Sequence, residues 1–377
     1  MNMLVAPPPL PDEPKQVVFT GKRDDFRKLV TRGAALELIT AGFYRFWLAT
    51  DMRRHMWSNT EVDGDAFEYT GRAKELFIGF LIAMAILVPT YVAYFVLGTY
   101  AEEAKAFAST PLFLFYYLFG QFAIYRARRY RLTRTVWRGV RFWMDGSGWS
   151  YAWRATLWGF LVAFTLGLAW PWREAALERY KMRHTYYGDL QGSFVGTGWQ
   201  FFKRGWGLWL ASPFMLLIIP APFIYGAFKA IEWKWWIEGL RFGDVSFGST
   251  LRTDALIGRY WAMIGWSTLA FIGFSTYMGA AMFLYLQMSG ADLSRLFTGG
   301  HLTQAIPVIA IYAVGYLALV LAMNIVVRVT LFRDIWQRVV GSVTVDHLGA
   351  AANVAAKGEL VSALGEGIAD GLDVAGF

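Results

Sequence analysis

The sequence predicts a polytopic α-helical membrane protein: repeated helical hairpins, two long and transmembrane, three short and re-entrant, linked by short cytoplasmic β-hairpins. Three observations carry that prediction. Of 377 residues, 56% are apolar and only 17% charged, against roughly 25% charged in a soluble domain. Six stretches contain no Asp, Glu, Lys or Arg: Leu76–Gly98, Ala106–Tyr125, Ala155–Trp172, Gly205–Phe228, Tyr260–Ala291 and Leu302–Val327. About 20 such residues cross a bilayer core as a helix. Finally, a strand–turn–strand pattern around Asp-Gly or Gly-Asp recurs at 60–71, 140–153, 185–198 and 240–253.

Taken in order, the start MNMLVAPPPLPDEP lacks the basic and apolar regions of a signal peptide. Its prolines predict a disordered tail over 1–16. A membrane domain over 17–348 follows, in five helical-hairpin units at 22–58, 72–139, 154–184, 199–239 and 254–340. The second and fifth are long enough to go out and back. Their outer turns are AEEAKAFASTP and QMSGADLSRLFTGGH. The other three turn at Thr40-Ala41-Gly42, Thr165-Leu166-Gly167 and Pro220-Ala221-Pro222. Their arms, roughly 20–24 Å at helical rise, fall short of a span, hence the re-entrant reading. The alternative lets 155–172 and 205–228 span and puts 173–204 outside. Glycines at 365, 367, 371 and 376 predict a flexible tail over 349–377.

Basic residues set the orientation. All but Lys105 and Arg295 of the 36 fall in segments that the connectors share, so those segments are expected in the cytoplasm. An isolated hairpin is marginal in water. The four connectors, with the half-elements VVFTG (17–21) and GSVTVDHLG (341–349), are therefore expected to pair into one sheet.

The runs LITAGFYRFW (38–47) and RRHMWSNTEVDGDAFEYTG (53–71) resemble the YjgN family of bacterial inner-membrane proteins, whose function is unknown. Thr40, Gly42, Tyr44, Trp47, Asn59, Thr60, Asp63, Gly64, Phe67, Tyr69 and Gly71 match its pattern, and Ala41 and Phe43 depart from it. The resemblance implies a multi-pass inner-membrane location and carries over no catalytic or ligand residue.

Cysteine is absent, which excludes disulfides, thiolate metal sites and cysteine nucleophiles. His55, His184, His301 and His347 show no metal spacing, and no HExxH, P-loop, GxSxG or GxGxxG occurs. DGSGW at 145–149 reads as a turn. We therefore expect no enzyme, metal, cofactor or nucleic-acid partner. Polar residues at membrane depth are the usual lead: Glu37, expected to pair with Arg32 or Arg45, and Gln121, Gln287 and Asn324. Arg126, Arg128, Arg129, Arg131, Arg134 and Arg138 follow an apolar helix directly, so anionic lipid is their expected partner. On a continuous helix Arg131, Arg134, Arg138 and Arg141 would form one stripe toward lipid phosphate. Tryptophans near basic ends, Trp57, Trp137, Trp233, Trp235 and Trp236 among them, read as an interfacial belt. The leading functional expectation is a transporter- or channel-like protein, because proline-broken helices suit such sites. The alternative is a lipid-interacting scaffold that recruits a partner, such as a membrane peptidase, through its C-terminal tail.

Overall fold

The computed structural model describes residues 13–100, 102–217, 219–289 and 302–358. The proline-rich start, the outer turn around Arg295 and the tail from 359 onward lie outside the described residues.

The fold class expected, an α-helical membrane protein in which short β-hairpins only link helical hairpins, is overturned. The organising element is a nearly closed antiparallel sheet of 11 strands. They are β1 (Lys15–Phe19), β2 (Thr60–Val62), β3 (Asp65–Ala66), β4 (Glu68–Tyr69), β5 (Thr135–Trp137) and β6 (Val140–Met144), followed by β7 (Thr185–Tyr187), β8 (Leu190–Phe194), β9 (Leu240–Phe242), β10 (Val245–Ser249) and β11 (Val343–Asp346). In space they run β3-β2-β1-β11-β10-β9-β8-β7-β6-β5-β4. The two outermost strands, β3 and β4, flank Phe67 in the chain, so that single residue joins the two edges. Each connector pairs with the next, as Met144 with Thr185 and Phe194 with Leu240. The two chain ends meet where Lys15 pairs with Val345. Closure removes the unpaired edges that separate hairpins would leave. Hydropathy misjudged the class because strands of two to five residues add little to an apolar profile, while their pairing accumulates around the ring.

The turns show why these segments fold locally. Asp63 and Gly64 sit at φ +54° and +85°, and Arg138 and Gly139 at +49° and +75°, the left-handed pair that a two-residue hairpin demands. The barrel interior is packed with Val17, Val62, Trp137, Tyr187, Val245 and Val345, as small barrels generally are. A void of only about 70 Å3 remains. Leu348 closes its turn end, and the Ala355 amide donates to Asp189 Oδ1 at 3.0 Å.

Helices fill the stretches between connectors. They are α1 (Arg23–Ile39), α2 (Arg45–Ser58), α3 (Ala73–Tyr100), α4 (Glu102–Thr133), α5 (Gly148–Phe164) and α6 (Trp170–Arg183), then α7 (Gly198–Ala211), α8 (Ala221–Gly239), α9 (Ile257–Ser289) and α10 (Leu302–Val327). A π-helical turn, Arg328–Arg333, leads into α11 (Asp334–Val340). Helix α2 packs on α3, α4 on α5, α6 on α7, α8 on α9, and α10 back on α1, so the helices also close a ring.

Among the described residues, three helical stretches are long and apolar enough to cross a membrane: Ala73–Val96, Ile257–Ser289 and Ile306–Val340. The apolar runs 155–172 and 205–228 are not continuous helices. The first breaks after Phe164, where Leu166 and Gly167 take φ +50° and +91°; Ala41 and Gly42 repeat this at +49° and +90°. At both turns a threonine holds the reversal. Thr165 Oγ1 donates to Leu161 O and accepts from the Ala169 amide, and Thr40 does the same with Leu36 O and the Tyr44 amide. The run 205–228 breaks at the 3-10 segment Ser212–Leu216. These turns expose Ile39, Phe164, Leu166, Leu216 and Ile219.

Candidate functional site

Directly above the filled barrel the helix ends leave a recess of about 310 Å3. Three helices line it through one pattern. Residues at i, i+3 and i+4 share a helix face, and here they are Arg128, Arg131 and Leu132 on α4, Trp233, Trp236 and Ile237 on α8, and Trp336, Val339 and Val340 on α11. Trp57 of α2 completes the wall, stacked on Trp336 at 5.3 Å and 23°. Trp233 meets Trp236 edge-on at 5.6 Å. The Trp57 indole N–H donates to Thr135 Oγ1 (3.0 Å) and that of Trp336 to Thr60 Oγ1 (3.2 Å). Both threonines start strands, and each also donates back to its preceding helix, at Arg131 O and Met56 O. The barrel rim thereby orients the rings above it.

The charges are arranged around one carboxylate. Glu178 of α6 is buried, pairs with Arg128 at 3.2 Å, and also pairs with Lys181. Burial alone would raise its pKa, but Lys181 and Arg128 outweigh that and hold it down at about 2. Arg128 lies 6.0 Å from the Trp236 ring. Arg128 and Lys181 thus both face Glu178, and Arg131 lies on the same recess wall as Arg128. An apolar, indole-rich recess with two guanidiniums on one wall suits an anion that carries an aromatic or apolar body.

The structure disperses the other arginines. Helix α4 ends at Thr133, so no single stripe forms. Arg134 pairs with Glu75 at 2.7 Å; Arg138, in the β5–β6 turn, pairs with Asp63 and Asp65 at 2.9 and 2.5 Å; Arg141 donates to Thr133 O. Arg126 and Arg129 stay on α4, each with a buried Nε. Glu37 meets neither Arg32 nor Arg45. Its partner is Arg328 at 2.9 Å, 291 positions away, while Arg45 covers the Phe46 and Phe80 rings. Gln121 is buried in α4, and Asn324 Oδ1 is buried without a hydrogen-bond partner among the described residues. His184 does meet a carboxylate, Asp145, at 2.7 Å.

Tryptophan placement is the main revision. Trp57, Trp233 and Trp236 line the recess, Trp137 sits in the barrel, and Trp235 stacks on Phe201 at 4.7 Å. Sequence reasoning missed Trp336 and Glu178 as site residues. The 3–4 spacing of Trp336, Val339 and Val340 just before a strand was the available signal. For Glu178 the local signal was Lys181 at i+3 on the same helix, whereas its pairing with Arg128 is set by tertiary packing.

A family model described as "Bacterial protein of unknown function (DUF898)" matches residues 14–232. No curated protein and no solved structure matches the chain.

Proposed function

The chain belongs to this bacterial family, the YjgN family of unknown function, and we propose that it is a multi-pass inner-membrane protein that binds an amphipathic anion in the tryptophan–arginine recess. The carrying observation is the convergence of four indoles with Arg128 and Arg131 on one volume of about 310 Å3. That volume lies at the lower end of the small-molecule pocket range. The filled barrel beneath supports carrier- or receptor-like binding over an open channel, since a void of about 70 Å3 admits no solute path. The role is one of binding without catalysis.

The test is isothermal titration of the full chain in nanodiscs with naphthalene-1-sulfonate and with neutral 1-naphthalenemethanol. The sulfonate is expected to bind more tightly. Arg131→Gln is expected to weaken it about 10-fold or more, since a hydrogen bond to a charged group contributes about 1.5–3 kcal/mol. Equal affinity for both probes, or no change in the variant, defeats the reading.

A second reading, a lipid-facing structural protein, is favoured by the exposed apolar turns at Ile39, Phe164, Leu166, Leu216 and Ile219. It is preferred if neither probe binds.

A further inference from the structure

Where α1, α9 and α11 meet, four arginines surround a single carboxylate. Asp334, 4% exposed, accepts from Arg23 (3.1 Å), Arg259 (3.0 Å) and Arg333 (2.9 Å). Arg338 lies beside them, exposed, and makes no ion pair among the described residues. Arg333 is further held by Gln337 Oε1 and Gly21 O, both at 2.7 Å. One negative charge thus faces four positive ones. Donors remain on Arg23, which is half exposed, and on the exposed Arg338; among the described residues the buried Nε groups of Arg259 and Arg333 have no hydrogen-bond partner. The pocket these groups line holds about 350 Å3. Planar guanidiniums with spare donors match the oxygens of a phosphate.

A second groove of about 270 Å3 adjoins it and shares Arg23. Apart from Asp24 and Arg27, which pair with each other at 3.1 Å, and Thr330, its walls are apolar: Trp266, Ile325, Val326 and Val329. The two volumes are stacked along the membrane-crossing stretches. Arg259 sits near the start of Ile257–Ser289, and Asp334 and Arg338 near the end of Ile306–Val340. Trp266 lies two turns further into α9, about 10 Å at helical rise. A basic pocket at the end of the spans with an apolar groove leading inward has the polarity of one lipid molecule.

We propose that this seam binds one anionic phospholipid, its phosphate on Arg23, Arg259 and Arg338 and one acyl chain along Trp266, Ile325 and Val329. The salt bridges to Asp334 hold Arg23 and Arg259 in place for the phosphate. Among the described residues Arg338 makes no ion pair, so its removal leaves the salt bridges of Arg23, Arg259 and Arg333 to Asp334 standing.

The experiment delipidates the purified full chain and titrates it with phosphatidylglycerol, phosphatidylcholine or inorganic phosphate, reading bound mass by native mass spectrometry. Phosphatidylglycerol is expected to bind at least about 10-fold more tightly than phosphatidylcholine. Arg338→Gln is expected to weaken phosphatidylglycerol about fivefold, since a basic residue near an anionic surface contributes about 1 kcal/mol. Trp266→Ala is expected to weaken both lipids. Arg252→Gln, which removes an exposed arginine elsewhere, is the charge control and is expected to change nothing. The proposal falls if the two lipids bind equally or if Arg338→Gln behaves like Arg252→Gln. It falls too if inorganic phosphate displaces the lipid at equal concentration, which assigns the arginines to a soluble anion.

Discussion

The barrel and the recess above it are built from the same recurring strand and helix ends, yet one is filled and the other is open. In the barrel, β-branched and aromatic side chains from successive strands converge until about 70 Å3 is left. One step along the chain, at the helix ends, the converging side chains are indoles and guanidiniums, and about 310 Å3 stays unfilled. A ring of repeats narrows toward its axis, so short strands with medium side chains close it. Large planar groups pinned at their edges by Thr60 and Thr135 cannot interdigitate in the same way. The barrel is the part that holds the ring together, and the recess is the part free to bind.

The largest effect expected from this contrast is at Trp137. Its ring is buried against Phe67 and Tyr187, its N–H donates to Asp65 O at 3.1 Å, and its carbonyl accepts from the Tyr187 hydroxyl. Trp137→Ala is expected to cost about 3–5 kcal/mol in chemical denaturation of the detergent-solubilised chain. A cost below about 1 kcal/mol would mean the barrel is not the stabilising element.

Glu178 comes next. Glu178→Gln leaves Arg128 and Lys181 facing each other without their carboxylate, at a cost of about 3 kcal/mol near neutral pH. The pH dependence has a definite sign. The folded-state pKa is depressed to about 2 from an ordinary 4.5, so the contribution is complete above about pH 4.5 and is lost as pH falls toward 2. Stability of the parent is expected to fall across that window, and that of the variant to fall less. Parallel curves would show that Glu178 is not the charge that holds the recess wall.

How much of this was legible follows from the range of each signal. The connectors, their Asp-Gly turns and the reversals at Thr40 and Thr165 are local, written in a few adjacent residues. Ring closure was not, because it rests on β3 and β4, two residues each, on either side of Phe67. Nor was the pairing of Glu37, whose nearby Arg32 and Arg45 were the natural local choice, while Arg328 reaches it only when the last helices close against the first. The tryptophans misled for a different reason. An indole beside basic residues looks the same in sequence whether it faces a bilayer or an axis, and only the facing helices decide.

A smaller effect separates the barrel turns from its core. Gly64 sits at φ +85° with nothing within 4 Å of an added Cβ. Gly64→Ala therefore tests backbone strain without a clash. It is expected to cost about 1–2 kcal/mol with no change in probe binding at the recess. A change in binding would show that the turn end and the recess are coupled through the strands.

The smallest expected effect on stability is at Trp336, and it decides whether the recess is a site or a poorly packed core. Trp336→Phe keeps a ring to stack on Trp57 and removes the indole N–H that donates to Thr60 Oγ1. The threonine hydroxyl is not orphaned, because it still donates to Met56 O at 2.8 Å. Among the described residues the hydrogen bond lost is this one neutral bond, about 1 kcal/mol, together with part of the recess wall. The same substitution enlarges the recess and frees the remaining ring to tilt, so naphthalene-1-sulfonate is expected to bind several-fold more weakly while the denaturation midpoint moves little. Were Trp336→Phe to cost as much as Trp137→Ala, the indoles would be serving as core, and the contrast between a filled barrel and an open recess would fail.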